Sequence, residues 1–334
     1  MTTSSSPTDS GAVATAAMSR AADAVAPALD DALARLSSSL RGPVAHHLAG
    51  GGKRVRAALA LLSAAAVGAP EETGVLGAVA IELIHNFSLI HDDIIDGDTE
   101  RRHRSTVWSE FGIGAAIIAG DALATLALQL LLDEPTPERV GAARCLVEAT
   151  QLMIAGQADD MAFESRTSVT VAECLEMERG KTSALLSCAV SLGAILAGAP
   201  DGTVAALAAF GSHLGTAFQA VDDVLGIWGE PAVTGKPVGN DLSQHKKTLP
   251  VSIALARNDE NAPELLRLLE SDLAPADVER ARALIEATGA REETIALADT
   301  HLELALAALD GVPLVEGPKS ELVAIARFVT ERDR

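Results

Sequence analysis

The stretch LIHNFSLIHDDIIDGDTERR, residues 83–102, decides the fold. Leu83, Phe87, Ile90 and Ile94 recur at i, i+4, i+7 and i+11, which is one face of an α-helix. At about 100° per residue, Asp96 falls about 40° from Asp92 and His85 returns to within about 20° of it, so these three share a second face. Asp93 points about 100° away. Two adjacent carboxylates repel each other unless water or a cation separates them. Carboxylates completed by water and phosphate oxygens are how proteins hold Mg²⁺. Taken alone, such a box also fits a solvated acidic helix end. The basic run RRHR follows at once, from Arg101 to Arg104.

Working outward, the rest of the chain is helical in pattern. It has 334 residues, 48% hydrophobic but only 2% aromatic, with alanine and leucine dominant; that composition favours helix over sheet. Breaks fall at GGG (50–52), GAPEETG (68–74), DEPTPE (133–138), GAPDG (198–202), WGEPAVTGKPVGND (228–241), NDENAPE (258–264) and DGVPLVEGPK (310–319). The segments between them have helix length and no strand alternation. The expected architecture is all-α, a single domain of ten or more helices over residues 18–334. Residues 1–17, rich in Ser, Thr and Ala, read as a disordered tail, with docking to a partner as the alternative.

The net charge of −20 excludes non-specific binding to nucleic acid or to an anionic membrane. An anionic substrate therefore needs locally placed cations or bridging metal. The three cysteines, Cys145, Cys174 and Cys188, form no Cys-x-x-Cys pair and read as reduced, buried cytoplasmic thiols. The first twenty residues show no secretory pattern. The longest apolar stretch, ALLSCAVSLGAILAGA (184–199), is short for a membrane span and reads as a core helix.

A second acidic box, VDDVLG (221–226), echoes the first, with Gln219, Asp222, Asp223 and Gly226 on one helix face. Two such faces in a bundle suit metal ions and a polyphosphate between them. GGGKRVR (50–56) puts Lys53 and Arg56 at i and i+3 near a helix start, a ready anion site. GKTS (180–183) ends like a nucleotide-binding loop, but position 175 is Leu where that loop needs glycine, and no strand precedes it.

With GGKRVR, the first box, GD (120–121), GQADDM (156–161), KTS, FQAVDDVLG and GKPVGNDLSQHKKTLP in that order, the chain resembles the trans-type polyprenyl diphosphate synthases over nearly all of residues 20–334. The resemblance implies antiparallel helices around a deep central cavity, and a homodimer. It implies condensation of isopentenyl diphosphate onto an allylic diphosphate. By the same resemblance, Asp92 and Asp96 bind two of three Mg²⁺ ions and Asp222 the third, with Asp93 and Asp223 supporting them. Lys53, Arg56, His85 and Arg102 match positions that hold isopentenyl diphosphate. Arg101, Lys181, Thr182, Gln219, Lys236 and Lys246 match those around the allylic diphosphate. Asp92, Asp96, Lys181, Asp222 and Lys236 then form the catalytic set that stabilises the leaving group.

There are departures from the pattern. Gly226 stands where a third aspartate is usual, Ala57 where proline is, and His103 where glycine is common. Gly226 leaves open a catalytically silent partner subunit. A class I terpene cyclase is the other alternative, although NDLSQHKKT (240–248) has Ser one place early and Thr where that class has Glu. Product length falls to Phe87 and Ser88, about one helical turn below Asp92; each turn of about 5.4 Å spans roughly one isoprene unit. One bulky and one small residue predict a partly closed floor and a geranylgeranyl product.

Overall fold

The computed structural model describes residues 7–230, 238–257, 260–271 and 273–331. Its helices are α1 (Pro7–Leu33), α2 (Ser38–Leu48), α3 (Val55–Ala66), α4 (Val75–Ile95), α5 (Val107–Phe111), α6 (Ile113–Leu132), α7 (Pro137–Glu164) and α8 (Val171–Glu178). They continue as α9 (Ala184–Leu196), α10 (Asp201–Trp228), α11 (Asn240–Ser243), α12 (Leu249–Arg257), α13 (Ala262–Leu269), α14 (Pro275–Ala287), α15 (Ala290–Ala308) and α16 (Glu316–Thr330). A 3-10 turn, Glu71–Gly74, leads into α4, and a π-helical turn, Arg179–Ser183, joins α8 to α9. The all-α expectation holds, and the breaks at 50–52 and 68–74 fall between α-helices.

The boundary of the N-terminal tail does not hold. Helix α1 begins at Pro7, and Ala14 and Ala17 are buried, with Ala21, Val25 and Leu29 continuing the same stripe. Alanine has the highest helix propensity, and a three-to-four-residue spacing of small side chains suits close packing. Residues 1–6 lie outside the described part.

A two-stranded hairpin also interrupts the helices. Glu100–Arg101 pairs antiparallel with Arg104–Ser105, in the register Glu100↔Ser105 and Arg101↔Arg104. Its two-residue loop, Arg102 and His103, has φ of 53° and 60°. Two successive positive φ values make the tight turn that matches strand twist. Glycine takes that conformation without strain, which accounts for its place in the family pattern at position 103.

The helices sort into two compact units. The first comprises Met1–Thr150, Leu185–Ala208 and Leu309–Ile325. Within it α4 packs on α3 and α6, and α3 is almost wholly buried from Ala57 to Ala66. Contact is close because small residues face backbone: a Cβ added to Gly193 of α9 would stand 1.9 Å from the Ala60 carbonyl oxygen of α3. The expected core helix of 184–199 is α9, buried along most of its length. Cys145 and Cys188 bring their Sγ atoms to 3.7 Å as free thiols.

The second unit comprises Gln151–Ala184, Ala209–Ala308 and Ala326–Arg334. Cys174, Val221, Leu249, Ile253, Leu265 and Ile285 belong to its core. Helix α8 starts at a capping box, Thr170 accepting from the Glu173 N–H and Glu173 accepting from the Thr170 N–H. Glycines set the approach here as well: a Cβ on Gly156 of α7 would meet the Lys181 amide nitrogen at 2.3 Å, and one on Gly180 the Leu152 carbonyl at 2.8 Å.

Three helical stretches, Glu71–Ile95, Ile113–Leu132 and Asp201–Trp228, are long and apolar enough to cross a membrane by length and composition. The 184–199 stretch is therefore not the longest apolar candidate. Glu71–Ile95 has 61% of its most apolar window buried inside the protein, against 44% for Ile113–Leu132.

Candidate active site

In the first unit the acidic box ends α4. Helical periodicity separates its aspartates as expected: Asp93 is buried at 1% exposure, while Asp92 and Asp96 are partly exposed. Asp93 Oδ1 accepts from Arg101 Nε at 2.6 Å, and Asp93 Oδ2 is buried with no hydrogen-bond donor. Burial pushes the Asp93 carboxyl up, and the Arg101 guanidinium opposes that shift. The helix closes with Asp96 at its C-cap and Gly97 at φ 69°, the left-handed turn that glycine favours.

The basic residues gather close by. Arg56, in the first turn of α3, bonds His85 on α4, Nη1 to Nε2 at 3.2 Å. Arg54, at φ 53° ahead of α3, is paired with the buried Glu82 of α4. The Arg102 guanidinium lies over the glycine run, where a Cβ on Gly52 would come within 3.1 Å of its Nη1. The glycines of GGGKRVR thus make room for arginine.

Two histidines report the field of this cluster. Burial, then Arg56, Arg102 and Arg101, hold His85 well below the ordinary imidazole value. Burial, then Arg101 and Arg102, lower His47 to about 4. Both imidazoles are neutral at pH 7, so the positive charge of the cluster is that of its arginines. Burial and the neighbouring Arg101 and Arg54 also push Arg102 below its usual value. A small cleft opens here, with His46, His47, Gly50, Asp93, Arg101 and Arg102 in its walls. Lys53 is exposed beside it in sequence.

In the second unit, the second box lies on α10. Thr182 Oγ1 donates to Gln219 Oε1 at 2.7 Å, and Gln219 Nε2 donates to Asp223 Oδ1 at 2.9 Å. Asp223 Oδ2 accepts from the Leu249 N–H at 2.8 Å, which ties α10 to the start of α12. Lys181 pairs with Asp160 of the GQADDM motif, an approach that Gly156 and Gly180 make possible. The π-turn that carries Lys181 and Thr182 adds a residue to one helical turn, a distortion frequent at functional sites. Asp222 and Lys246 are partly exposed. Lys236 lies outside the described residues.

No role for Asp160, Glu82, His47 or Glu178 is legible in the sequence. Asp160 stood in a quoted motif, but nothing local showed its pairing with Lys181. Glu178 is buried at 2% exposure, takes the Cys174 Sγ–H at 3.2 Å and faces Asp223. Burial and Asp223 push its carboxyl well up, so Glu178 holds the proton of that pair.

Among the described residues, no three His, Cys, Asp or Glu side chains converge as a ready metal cage. Mg²⁺ does not need one: it keeps several waters and binds through one or two carboxylates plus substrate phosphates. The donors here are hard oxygens, and Asp93 Oδ2 is a buried acceptor awaiting a donor such as a metal-bound water. The residues fit that ion.

Acidic helix faces, a convergent arginine cluster and an all-α fold are the features of a class of protein that handles diphosphates. The polyprenyl synthetase family profile matches residues 37–287, and the chain belongs to that family, whose members are prenyltransferases that make trans prenyl diphosphates. A (2E,6E)-farnesyl diphosphate synthase of Mycobacterium tuberculosis is 41% identical over 324 residues, covering 92% of this chain and 90% of its own. A geranylgeranyl diphosphate synthase of the same organism is 45% identical over 287 residues, covering 84% of this chain and 80% of its own. The crystal structure of a polyprenyl synthetase from Streptomyces coelicolor superposes with a TM-score of 0.91 at 44% identity, covering 94% of this chain and 99% of that one.

Proposed function

We propose that the protein condenses isopentenyl diphosphate with an allylic diphosphate, in the presence of Mg²⁺, to give linear geranylgeranyl diphosphate. The observation that carries this reading is the gathering of Arg56, His85, Arg101 and Arg102 in one cluster, next to the helix end that bears Asp92 and Asp96. A chain of charge −20 concentrates cations there.

The allylic C–O bond breaks with its electron pair leaving on diphosphate. The double bond of isopentenyl diphosphate then attacks the allylic carbon, and a proton is lost, with the released diphosphate as its acceptor. Asp92, Asp96 and Asp222 would hold Mg²⁺, three ions by the family resemblance, which would supply charge neutralisation for the leaving group. Arg101, Lys181, Lys236 and Lys246 add fixed positive charge, and Thr182 and Gln219 orient the diphosphate. Lys53, Arg56, His85 and Arg102 hold the second diphosphate. His85 does so as a neutral imidazole, because burial and Arg56 keep it unprotonated.

The test is incubation with isopentenyl diphosphate and each allylic primer, with and without Mg²⁺, and mass spectrometry of the products. Product length rests on Phe87 and Ser88. Phe87 is 9% exposed and meets the His91 ring edge-on at 4.9 Å, while Ser88 Oγ folds back to the His85 carbonyl at 2.9 Å. A small side chain at 88 leaves the path open where a ring would close it. Ser88→Phe is expected to shift the main product to a shorter prenyl diphosphate, and Phe87→Ala to a longer one. Unchanged product distributions in both variants would place the floor elsewhere.

We propose a homodimer formed through α6, where Ile113, Ile117 and Ile118 are exposed at 53%, 43% and 57%. A second copy of the chain is the occupant we assign to that face. The wild type is expected to sediment as a dimer at micromolar concentration, and Ile118→Asp as a monomer. Three free thiols fit the reducing cytoplasm, which we propose as the location.

A further inference from the structure

Cys145 of α7 and Cys188 of α9 stand with their Sγ atoms 3.7 Å apart, both within the first unit. The two helices are in close contact there. One turn before Cys145, a Cβ on Gly141 would lie 3.3 Å from Ile195 Cγ2, and Ile195 is two turns beyond Cys188. The pair is asymmetric. Cys188 is 2% exposed, whereas Cys145 is only partly buried. The contact with Cys188 draws the Cys145 thiol below its ordinary value, against burial and Glu148. The same contact, together with burial, pushes Cys188 well up. Cys145 is therefore the sulfur that ionises, and the Cys188 S–H donates to its thiolate. Cys174 supplies the contrast. It is wholly buried, and its S–H lies 3.2 Å from Glu178 Oε1 and 3.3 Å from the Lys247 carbonyl. Burial, then Glu178 and Asp223, raise that thiol far above its ordinary value.

We propose that Cys145 and Cys188 form a redox modification site, in which a hydroperoxide oxidises the pair to a disulfide that ties α7 to α9. Cys145 reacts first, because it is the more exposed of the two and has a resolving thiol beside it. Its thiolate attacks a peroxide oxygen. An S–O bond forms, the O–O bond breaks, and the departing oxygen takes a proton to leave as alcohol or water. Cys188 then attacks the sulfenic sulfur of Cys145. The S–S bond forms, the S–O bond breaks, and hydroxide leaves with the Cys188 proton as water. Two electrons pass from the two sulfurs to the peroxide, and an external dithiol returns them by exchange.

The sulfurs close from 3.7 Å to about 2.05 Å, a movement short enough for side-chain rotation with a small helix shift. The bond joins positions 43 residues apart, and the loop it closes carries the GQADDM and KTS segments. Disulfides in reducing compartments are usually transient, which suits a bond that a dithiol can undo. The site uses none of the residues assigned to prenyl transfer and stands independently of that reaction.

The test treats the native full-length protein with a molar excess of tert-butyl hydroperoxide and counts thiols after denaturation. The count is expected to fall from three to one, with the intact chain two hydrogens lighter. A peptide linking Cys145 to Cys188 is expected, and dithiothreitol restores all three thiols. Cys188→Ser is expected to stop at the sulfenic acid, trapped on Cys145 by dimedone. In Cys145→Ser, Cys188 is expected to survive the same dose. Wild type that keeps all three thiols, or that links through Cys174 or between chains, would overturn the proposal. Oxidation of Cys188 at the wild-type rate in Cys145→Ser would overturn it as well. The wild-type measurement decides the matter even where a variant fails to fold.

Discussion

Asp92→Ala is expected to lower turnover at saturating Mg²⁺ by about a thousandfold or more, without lowering the melting temperature. Removing one preorganised electrostatic contact to a developing charge costs about 2.7–4 kcal/mol in well-studied sites, and a lost metal ligand removes a larger charge. Stability is spared because Asp92 is partly exposed near the end of α4. Asp93 supplies the contrast. It is buried and pairs with the partly exposed Arg101 at 2.6 Å, so Asp93→Ala removes a buried partner of that guanidinium and affects folding as well as activity. Steady-state assays with thermal melts on both variants separate the two effects. Turnover of Asp92→Ala within a few-fold of wild type would refute the assignment of the first box.

Gly193→Ala is expected to be the most destabilising single-methyl substitution in the first unit. The added Cβ would sit 1.9 Å from the Ala60 carbonyl, 2.4 Å from Ser63 Oγ and 2.9 Å from the Ala64 amide nitrogen. Two of those three are backbone atoms of α3, and α3 is buried, so the contact cannot be relieved by turning a side chain. Helices α3 and α9 would have to separate, breaking native-density packing along their contact. Overpacking of this kind costs about 1–3 kcal/mol and more where backbone must move. Gly202→Ala is the control, since nothing lies within 4 Å of a Cβ there. Urea unfolding should show a clear fall in midpoint for Gly193→Ala and none for Gly202→Ala. Equal midpoints would mean that α3 and α9 are not in contact in this way.

Much of this was legible in the chain. The 100° step along residues 83–96 distinguishes Asp92 and Asp96 from Asp93, and the structure buries Asp93 alone of the three. Glycine and proline clusters marked the ends of the helices, because those residues change the backbone's allowed angles wherever they stand. Two local readings failed for local reasons. The Ala-rich start reads as a tail because its low polarity contrast hides a packing stripe of small side chains. Two-residue strands are too short for alternation to register, so the hairpin at 100–105 went unseen.

Periodicity and backbone preference, then, are properties of neighbouring residues, and from them the sequence by itself determined the helices, their breaks and the face on which each box stands. What only the tertiary structure decided are pairings between distant residues: Lys181 with Asp160, Glu178 with Asp223, Arg56 with His85, and Asp241 in the space beside Gly226. Each depends on how closely two backbones approach and at what angle. That is set by the packing of whole helices, at glycines such as Gly156, Gly180 and Gly226, and no local pattern encodes which distant atom will fill the space a missing side chain leaves.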